Sequence, residues 1–460
     1  MPWRHTLEDF AQAAGAAPPK HPVAFSRIST DTRNILPGDL FLALRGPQFD
    51  ANDFLEHALD KGAAAVVGQR AISKGPCVVV EDGLAALQQF AAWHRSLFDI
   101  PVLAITGSCG KTTAKDLTAT LLGTRYVVAK TAGNLNNEIG LPQSLLHIDN
   151  ETDFAVLEMG ANHPGEIAHL CTLAQPTESA ITMVSAAHLE GFGAVEDVAR
   201  AKAEIMEGLP PDGCFFVNMD DPHCRAIGDR YTGDTMRFGA QGDVILRGCA
   251  RLPNGELAMD IDPVGRLTLP LLVRAHTTNL LLAVAVALRH GVDVSAFGPV
   301  LRAACQALAR FRVYGVGPLH VLDDTYNANP ASMAAALETL GEQPGTGAKM
   351  AALGAMLELG ETAEARHAEV GALAARHGVT HLYAYGPHAQ AMAAAAQSAG
   401  VLEGAAVASH EDIARRIATQ ARPGDALLIK GSRGMRMERV IEALRTHYSE
   451  HTDGAKGRGE

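Results

Sequence analysis

Val102-Leu-Ala-Ile-Thr-Gly-Ser-Cys-Gly-Lys-Thr-Thr113 is the stretch on which the reading of this chain turns. Its apolar start suits a buried strand, the turn Gly107-Ser-Cys-Gly-Lys-Thr-Thr113 follows, and a helix-forming run extends from Ala114 to Leu122. Strand, glycine turn and helix in that order aim backbone N–H groups and a helix N-terminus at one point, where a phosphate fits. Lys111 adds a point cation, and Thr112 a hydroxyl suited to magnesium. We therefore expect Gly107, Ser108, Cys109, Gly110, Lys111, Thr112 and Thr113 to bind ATP. The usual phosphate loop has four residues between its glycines. Here Gly107 and Gly110 enclose only Ser108 and Cys109, which selects a subset of nucleotide-binding enzymes.

Around the loop, 460 residues make room for about three domains. Aromatic residues are only 5% and glycines number 45, a balance that suits alternating strands and small-residue helices. A net charge of −12 argues against a nucleic-acid or anionic-membrane surface, so phosphate binding must rest on local groups. Seven cysteines without a Cys-x-x-Cys pair read as reduced thiols, not as a disulfide framework or zinc site. No apolar run reaches spanning length, and the mixed charge of the first residues resembles no secretory signal. The expected location is the cytoplasm, with no membrane insertion, and the expected state is a monomer.

Three units follow along the chain. Residues 1–97 hold short apolar runs (Val23–Ile28, Asp39–Leu44, Ala63–Val67, Cys77–Val80) and a helical segment near 54–61. Residues 98–312 alternate strands near 101–106, 154–159, 180–184 and 214–218 with helices, ending in a long apolar helix near 277–289. From 313 to 460 the alternation restarts, with strands near 319–323, 349–353, 381–385 and 426–430. Strands alternating with helices imply parallel sheets covered on both faces. The tail from His451 is polar and reads as unstructured. Gly315 and Gly317 suit either a hinge near 311–318 or a fixed turn.

Candidate chemistry sits at strand ends, where open α/β sheets bind ligands. Glu158 closes the run Phe154-Ala-Val-Leu-Glu158, and a buried carboxylate needs an ion partner or a metal. His188 follows a strand; by itself it reads as a solvated loop side chain, and Lys202 reads as an exposed helix lysine. Asn134, Asn136 and Asn137 crowd a glycine-rich stretch that suits either a capped turn or a ligand contact.

Taken in order, Gly107-Ser-Cys-Gly-Lys-Thr-Thr113, Gly133-Asn-Leu-Asn-Asn-Glu-Ile-Gly-Leu-Pro142, Glu158-Met-Gly-Ala-Asn162, His188-Leu-Glu-Gly-Phe-Gly193 and Ala201-Lys-Ala-Glu-Ile205 resemble the Mur ligases. Asp323-Asp-Thr-Tyr-Asn-Ala-Asn-Pro-Ala-Ser-Met333, Leu353-Gly-Ala-Met-Leu-Glu-Leu-Gly360 and Lys430-Gly-Ser-Arg-Gly-Met-Arg-Met-Glu438 narrow the match to one branch of that family. Asp31-Thr-Arg33, Gly38-Asp-Leu-Phe-Leu-Ala-Leu-Arg-Gly46 and Phe49-Asp50 fit its nucleotide-sugar domain.

The resemblance implies an α/β protein of three domains: a substrate-binding N-terminal domain, a central P-loop ATPase domain of mostly parallel sheet, and a Rossmann-like C-terminal domain. It implies an ATP-dependent ligase that joins D-alanyl-D-alanine to UDP-N-acetylmuramoyl-tripeptide through an acyl phosphate. Lys111, His188 and Lys202 would be catalytic. Thr112, Glu158, His188 and a carbamylated Lys202 would hold Mg2+. Asn279, Arg310 (or the nearby Arg312) and Asp324 would contact ATP. Asp31, Arg33, Gly46, Asp50, Asn134, Asn137, Tyr326, Asn327, Asn329, Lys430, Ser432 and Arg433 would bind substrate. A sister ligase adding the third amino acid, or a folylpolyglutamate synthetase, would share the loop. The runs Tyr326-Asn-Ala-Asn-Pro330 and Gly434-Met-Arg-Met-Glu438 argue against both. A nucleotide-regulated binding module would leave Glu158, His188 and Lys202 unexplained.

Overall fold

The computed structural model describes residues 3–270, 273–307, 311–345 and 347–456. The first unit has a two-stranded ribbon (His5–Thr6 with Ala24–Phe25) and a parallel sheet ordered Ile28–Ser29, Leu40–Leu42, Ala65–Gly68, Cys77–Val79. The run Val23–Ile28 is therefore split between two sheets instead of forming one strand. Arg27 stands at the break, and its Nε donates to Asp39 Oδ1 at 2.8 Å.

Helix Gly83–Ser96, capped by Asp82, docks this unit on the next. Trp3 Nε1 donates to Leu146 O at 2.6 Å, His94 Nε2 lies 2.8 Å from Ile148 O, and Arg95 Nε donates to Ala174 O at 3.0 Å. Phe10, Leu87 and Phe90 share one apolar cluster with Leu141, Ile167 and Leu170. Burial of each such side chain contributes about 1.5–3 kcal/mol, so this junction is a core and not a hinge.

The central sheet has nine strands, in the order Gly265–Leu269, Leu257–Asp262, Val244–Arg251, Asp234–Gly239, Cys214–Asn218, Glu178–Ile181, Val102–Thr106, Phe154–Glu158, Val128–Lys130. The phosphate-loop strand Val102–Thr106 runs parallel to both neighbours, and all of its residues are buried. Helix His276–Arg289 is apolar around most of its circumference because it too is buried, packed beside helix Lys111–Leu122. The antiparallel meander from Val244 to Leu269, the strand Asp234–Gly239 beside it and the edge strand Val128–Lys130 add to the four strands expected from sequence. Most of them are half-exposed, and the mostly buried Leu257–Asp262 is interrupted by Asp260, so no continuous apolar run announces them.

The C-terminal sheet is ordered Arg312–Val316, Leu319–Asp324, Asp425–Lys430, Lys349–Gly354, His381–Tyr385, Glu403–Val407, and only its first strand is antiparallel. Arg312–Val316 and Leu319–Asp324 form a hairpin with Gly317 (φ +56°) in its turn. Gly315 and Gly317 thus belong to the C-terminal sheet and travel with it, which removes them as a hinge. The last helix, Glu438–Lys456, carries regular structure into the polar tail. In both large sheets the carboxyl ends of the strands, at Thr106, Glu158, Asp324 and Lys430, bear the residues singled out above.

Candidate active site

The phosphate loop is held by glycine stereochemistry. Gly107 (φ +149°) and Gly110 (φ +86°) adopt backbone angles that other residues rarely tolerate, and the space is filled as well. A Cβ on Gly107 would lie 1.9 Å from Thr182 Oγ1, and one on Gly110 2.4 Å from Asn279 Oδ1. Ser108 N donates to Met183 O at 2.9 Å, and Thr182 Oγ1 donates to Cys109 O at 2.6 Å, which ties the loop to the adjacent strand end. Gly110 leads into helix Lys111–Leu122, and Lys111 Nζ folds back onto Gly107 O at 2.7 Å. Asn279 abuts the loop itself.

Behind the loop, both oxygens of the buried Glu158 carboxylate have a donor. Thr112 Oγ1 donates to Oε2 and Asn136 Nδ2 to Oε1, each at 2.8 Å, while Lys115 Nζ stands 4.0 Å from Oε2. Asn136 and Lys115 were not among the expected site residues. The asparagine crowd flagged the stretch, but spacing does not say which amide turns toward the strand end. Asn137 instead caps Gly140 N at 2.9 Å, and Asn134 O accepts from Asn136 N at 2.8 Å.

His188 is in the left-handed region (φ +54°), and its Nδ1 bonds the carboxylate of Glu358, a C-terminal residue itself at φ +64°. Partial burial, with Lys111 and Lys202 nearby, lowers the imidazole pKa, although Glu358 pulls it up. Lys202 is 2% exposed, not the surface residue its helix suggests. Burial, then repulsion by Lys111, brings its amine down to about 7. Among the described residues no three His, Cys, Asp or Glu side chains gather into a metal cage. A magnesium ion at Thr112 and Glu158 would thus complete its shell from phosphate and water, as this cation commonly does.

The C-terminal motifs close over the loop. Asn329 Nδ2 donates to Ser108 O at 3.3 Å. Lys430, 1% exposed, donates to Asp324 Oδ2 at 2.5 Å and to Asn327 O at 2.7 Å, so it braces the turn that carries Tyr326 and Asn327. Ser432 Oγ accepts from Leu357 N at 2.9 Å, and Arg433 pairs with Glu438 at 3.0 Å. Glu342 bridges two arginines of the central domain, at 2.7 Å from Arg251 and 2.8 Å from Arg274. Its partners lie too far away in sequence for any local pattern to signal them.

A cavity of about 1080 Å³ lies between the two domains. Apart from Gly107 and the alternative Arg312, every expected site residue of these domains within the described part lines it. Arg310 lies outside the described residues, and its neighbour Arg312 sits on the exposed edge hairpin. The N-terminal residues are not brought there. Asp31 caps the turn Thr32–Asn34 and pairs with Arg33, whose guanidinium holds its carboxyl down to about 2. Asp50 caps Ala51–Phe54 and pairs with Arg45 at 3.7 Å, while Gly46 N donates to Phe49 O at 2.8 Å. All seven cysteines are free, and no helix among the described residues is long and apolar enough to cross a membrane.

Comparison with known proteins agrees along the chain. The Mur ligase family catalytic domain matches residues 24–92, the Mur ligase middle domain residues 105–287, and the Mur ligase glutamate ligase domain residues 309–433. The UDP-N-acetylmuramoyl-tripeptide–D-alanyl-D-alanine ligase of Escherichia coli is 36% identical over 430 residues, covering 92% of this chain and 94% of that one. A MurF crystal structure from Acinetobacter baumannii superposes with a TM-score of 0.88 at 32% identity, covering 97% of this chain and 100% of the other. The MurF ligase of Thermotoga maritima in complex with ADP gives a TM-score of 0.81 at 30% identity, over 92% and 98% of the two chains. The chain belongs to the Mur ligase family.

Proposed function

We propose that this protein joins D-alanyl-D-alanine to UDP-N-acetylmuramoyl-tripeptide at the expense of ATP, giving the pentapeptide precursor of peptidoglycan. The observation that carries this reading is the near full-length match to ligases of that name, combined with one cavity where the phosphate loop meets the C-terminal motifs. The ADP complex of the Thermotoga relative supports the nucleotide assignment.

In our reading, residues 98–312 activate the tripeptide, residues 313–460 bring the dipeptide and close the site, and residues 1–97 hold the nucleotide sugar through Asp31, Arg33, Gly46 and Asp50. The tripeptide carboxylate attacks the γ-phosphate, ADP leaves, and the dipeptide amine then displaces phosphate from the acyl phosphate. Charge spreads over the transferring group, so Lys111 and the helix N-terminus behind it stabilise the transition state. Magnesium held by Thr112 and Glu158 would neutralise phosphate charge. The low amine pKa of Lys202 favours the neutral form that CO2 carbamylates, which turns a cation into a carboxylate-like ligand beside His188. Asn134, Asn137 and the turn Tyr326–Asn329 would frame the tripeptide. Exclusion of water by the C-terminal domain protects the acyl phosphate. A cytoplasmic setting fits these substrates.

Phosphate release measures the reaction directly. It should require ATP, UDP-N-acetylmuramoyl-tripeptide and D-alanyl-D-alanine together, and omission of the dipeptide should reduce it to background. Equal release with a UDP-dipeptide and a free third amino acid would point to the sister ligase, and release with a folate and glutamate to the folate enzyme. Side-by-side assays with diaminopimelate- and lysine-ending tripeptides identify the preferred stem.

A further inference from the structure

Two non-glycine residues in left-handed backbone conformation face each other across the domain boundary. His188 (φ +54°) belongs to the central domain and Glu358 (φ +64°) to the C-terminal domain, and they are bonded Nδ1 to carboxylate. Such conformations are retained when the surroundings over-determine them, and they gather at functional sites. The surroundings of Glu358 do so. Met356 N donates to the buried His367 Nε2 at 2.9 Å, Leu357 N donates to Ser432 Oγ at 2.9 Å, and Glu358 O accepts from Glu190 N at 3.2 Å. His367 Nδ1 is occupied by Ala363 O at 2.6 Å, so that ring is fixed at both nitrogens. The loop from Ala355 to Gly360 is thus built to present one carboxylate to one imidazole.

We propose that Glu358 is a positioning residue for His188. Its carboxylate accepts the Nδ1–H and so selects the tautomer in which Nε2 carries the lone pair. Among the described residues none bonds Nε2, and His188 lines the cavity beside Lys111 and Lys202. Carboxylates commonly set the tautomer and ring orientation of a working histidine in this way. Because Glu358 comes from the other domain, His188 acquires its working form only when the domains are closed. The inference rests on the ligase reading, which wild-type turnover tests separately.

Glu358→Leu, Glu358→Gln and Glu358→Gly should be compared with wild type at saturating substrates. Loss of an orienting partner of this kind costs about 10- to 100-fold. Glu358→Leu should lose that much in kcat, with KM for ATP within about twofold of wild type. Glu358→Gln keeps an acceptor oxygen and should lose less. Glu358→Gly relieves the left-handed backbone, so it should unfold no earlier than wild type while still losing kcat. Nitrogen-15 spectra of labelled histidine, with His188 assigned through His188→Gln, should show the Nδ1–H tautomer in wild type bound to ADP and UDP-tripeptide. In Glu358→Leu a mixture should replace it, with no change in the radius of gyration of the loaded enzyme. Wild-type kcat in Glu358→Leu would overturn the proposal. So would a kcat loss with an unchanged tautomer and an expanded loaded enzyme, since Glu358 would then only fasten the domains together.

Discussion

Lys202 condenses the residue-scale chemistry. A lysine 2% exposed and brought down to about 7 is not maintained for solubility, because burial opposes its charge and Lys111 repels it. If its role is that of a carbamate, Lys202→Ala should lose activity by about 100-fold or more. A short carboxylic acid such as acetate should restore part of it, since a free anion then occupies the vacated space. The check is turnover of the alanine variant against acetate concentration. Full activity without acetate would return Lys202 to a packing role. Lys430 is the contrasting case, since its charge is consumed by Asp324 and the Asn327 carbonyl and serves to hold a turn.

At the scale of elements, helix Gly83–Ser96 fastens the N-terminal domain through a histidine. His94 is wholly buried, with Nε2 on Ile148 O and Nδ1 2.9 Å from His5 Nε2. Burial brings its pKa down to about 4, with His5 lowering it further and the Ile148 carbonyl and Asp149 opposing. The unfolded chain titrates near 6.5, so between pH 6.5 and 4 it takes up a proton that the folded protein refuses. The contribution is complete above pH 6.5 and is lost as pH falls toward 4, by about 3 kcal/mol over that window. In urea unfolding, the stability gap between wild type and His94→Gln should narrow by that order between pH 7 and 4.5. The comparison cancels the titrating groups that do not touch His94. An unchanged gap would mean that His94 does not set the acid limit.

For the whole molecule the decisive matter is closure. Contacts from three separate places span the central and C-terminal domains: Asn329 to Ser108, Glu358 to His188, and Glu342 to Arg251 and Arg274. Unlike the other two contacts, Glu342 and its arginines do not line the cavity, so Glu342 reports on closure alone. Glu342, bonded to the largely buried Arg251, makes charge-assisted bonds that contribute roughly 1.5–3 kcal/mol, enough to shift a closed-to-open ratio by about tenfold or more, whereas the more exposed Glu358–His188 pair adds little to closure. Glu342→Ala should raise KM for ATP and UDP-tripeptide several-fold, with kcat much less affected. Scattering should show a smaller radius of gyration when wild type is loaded with an ATP analogue and UDP-tripeptide, and a weaker contraction in Glu342→Ala. Equal contraction in both proteins would remove Glu342 from the closing mechanism.

By itself the sequence determined whatever is local in the chain. Gly107 and Gly110 mark a loop that only glycine can form, the run after them makes the helix whose N-terminus faces phosphate, and buried strands such as Val102–Thr106 are continuous apolar runs. The order of the motifs assigned the family for the same reason, since each motif is a single turn at a strand or helix end. Tertiary structure alone decided which side chains meet. Asn136 and not Asn137 reaches Glu158, Lys202 is interior, and His188 finds a partner 170 positions along the chain. It also moved Gly315 and Gly317 out of a hinge and into a hairpin, and left Asp31 and Arg33 bonded to each other away from the cavity. Backbone conformation follows from a few neighbouring residues. Contacts between domains follow from how large apolar faces pack, and no short window of sequence contains both faces.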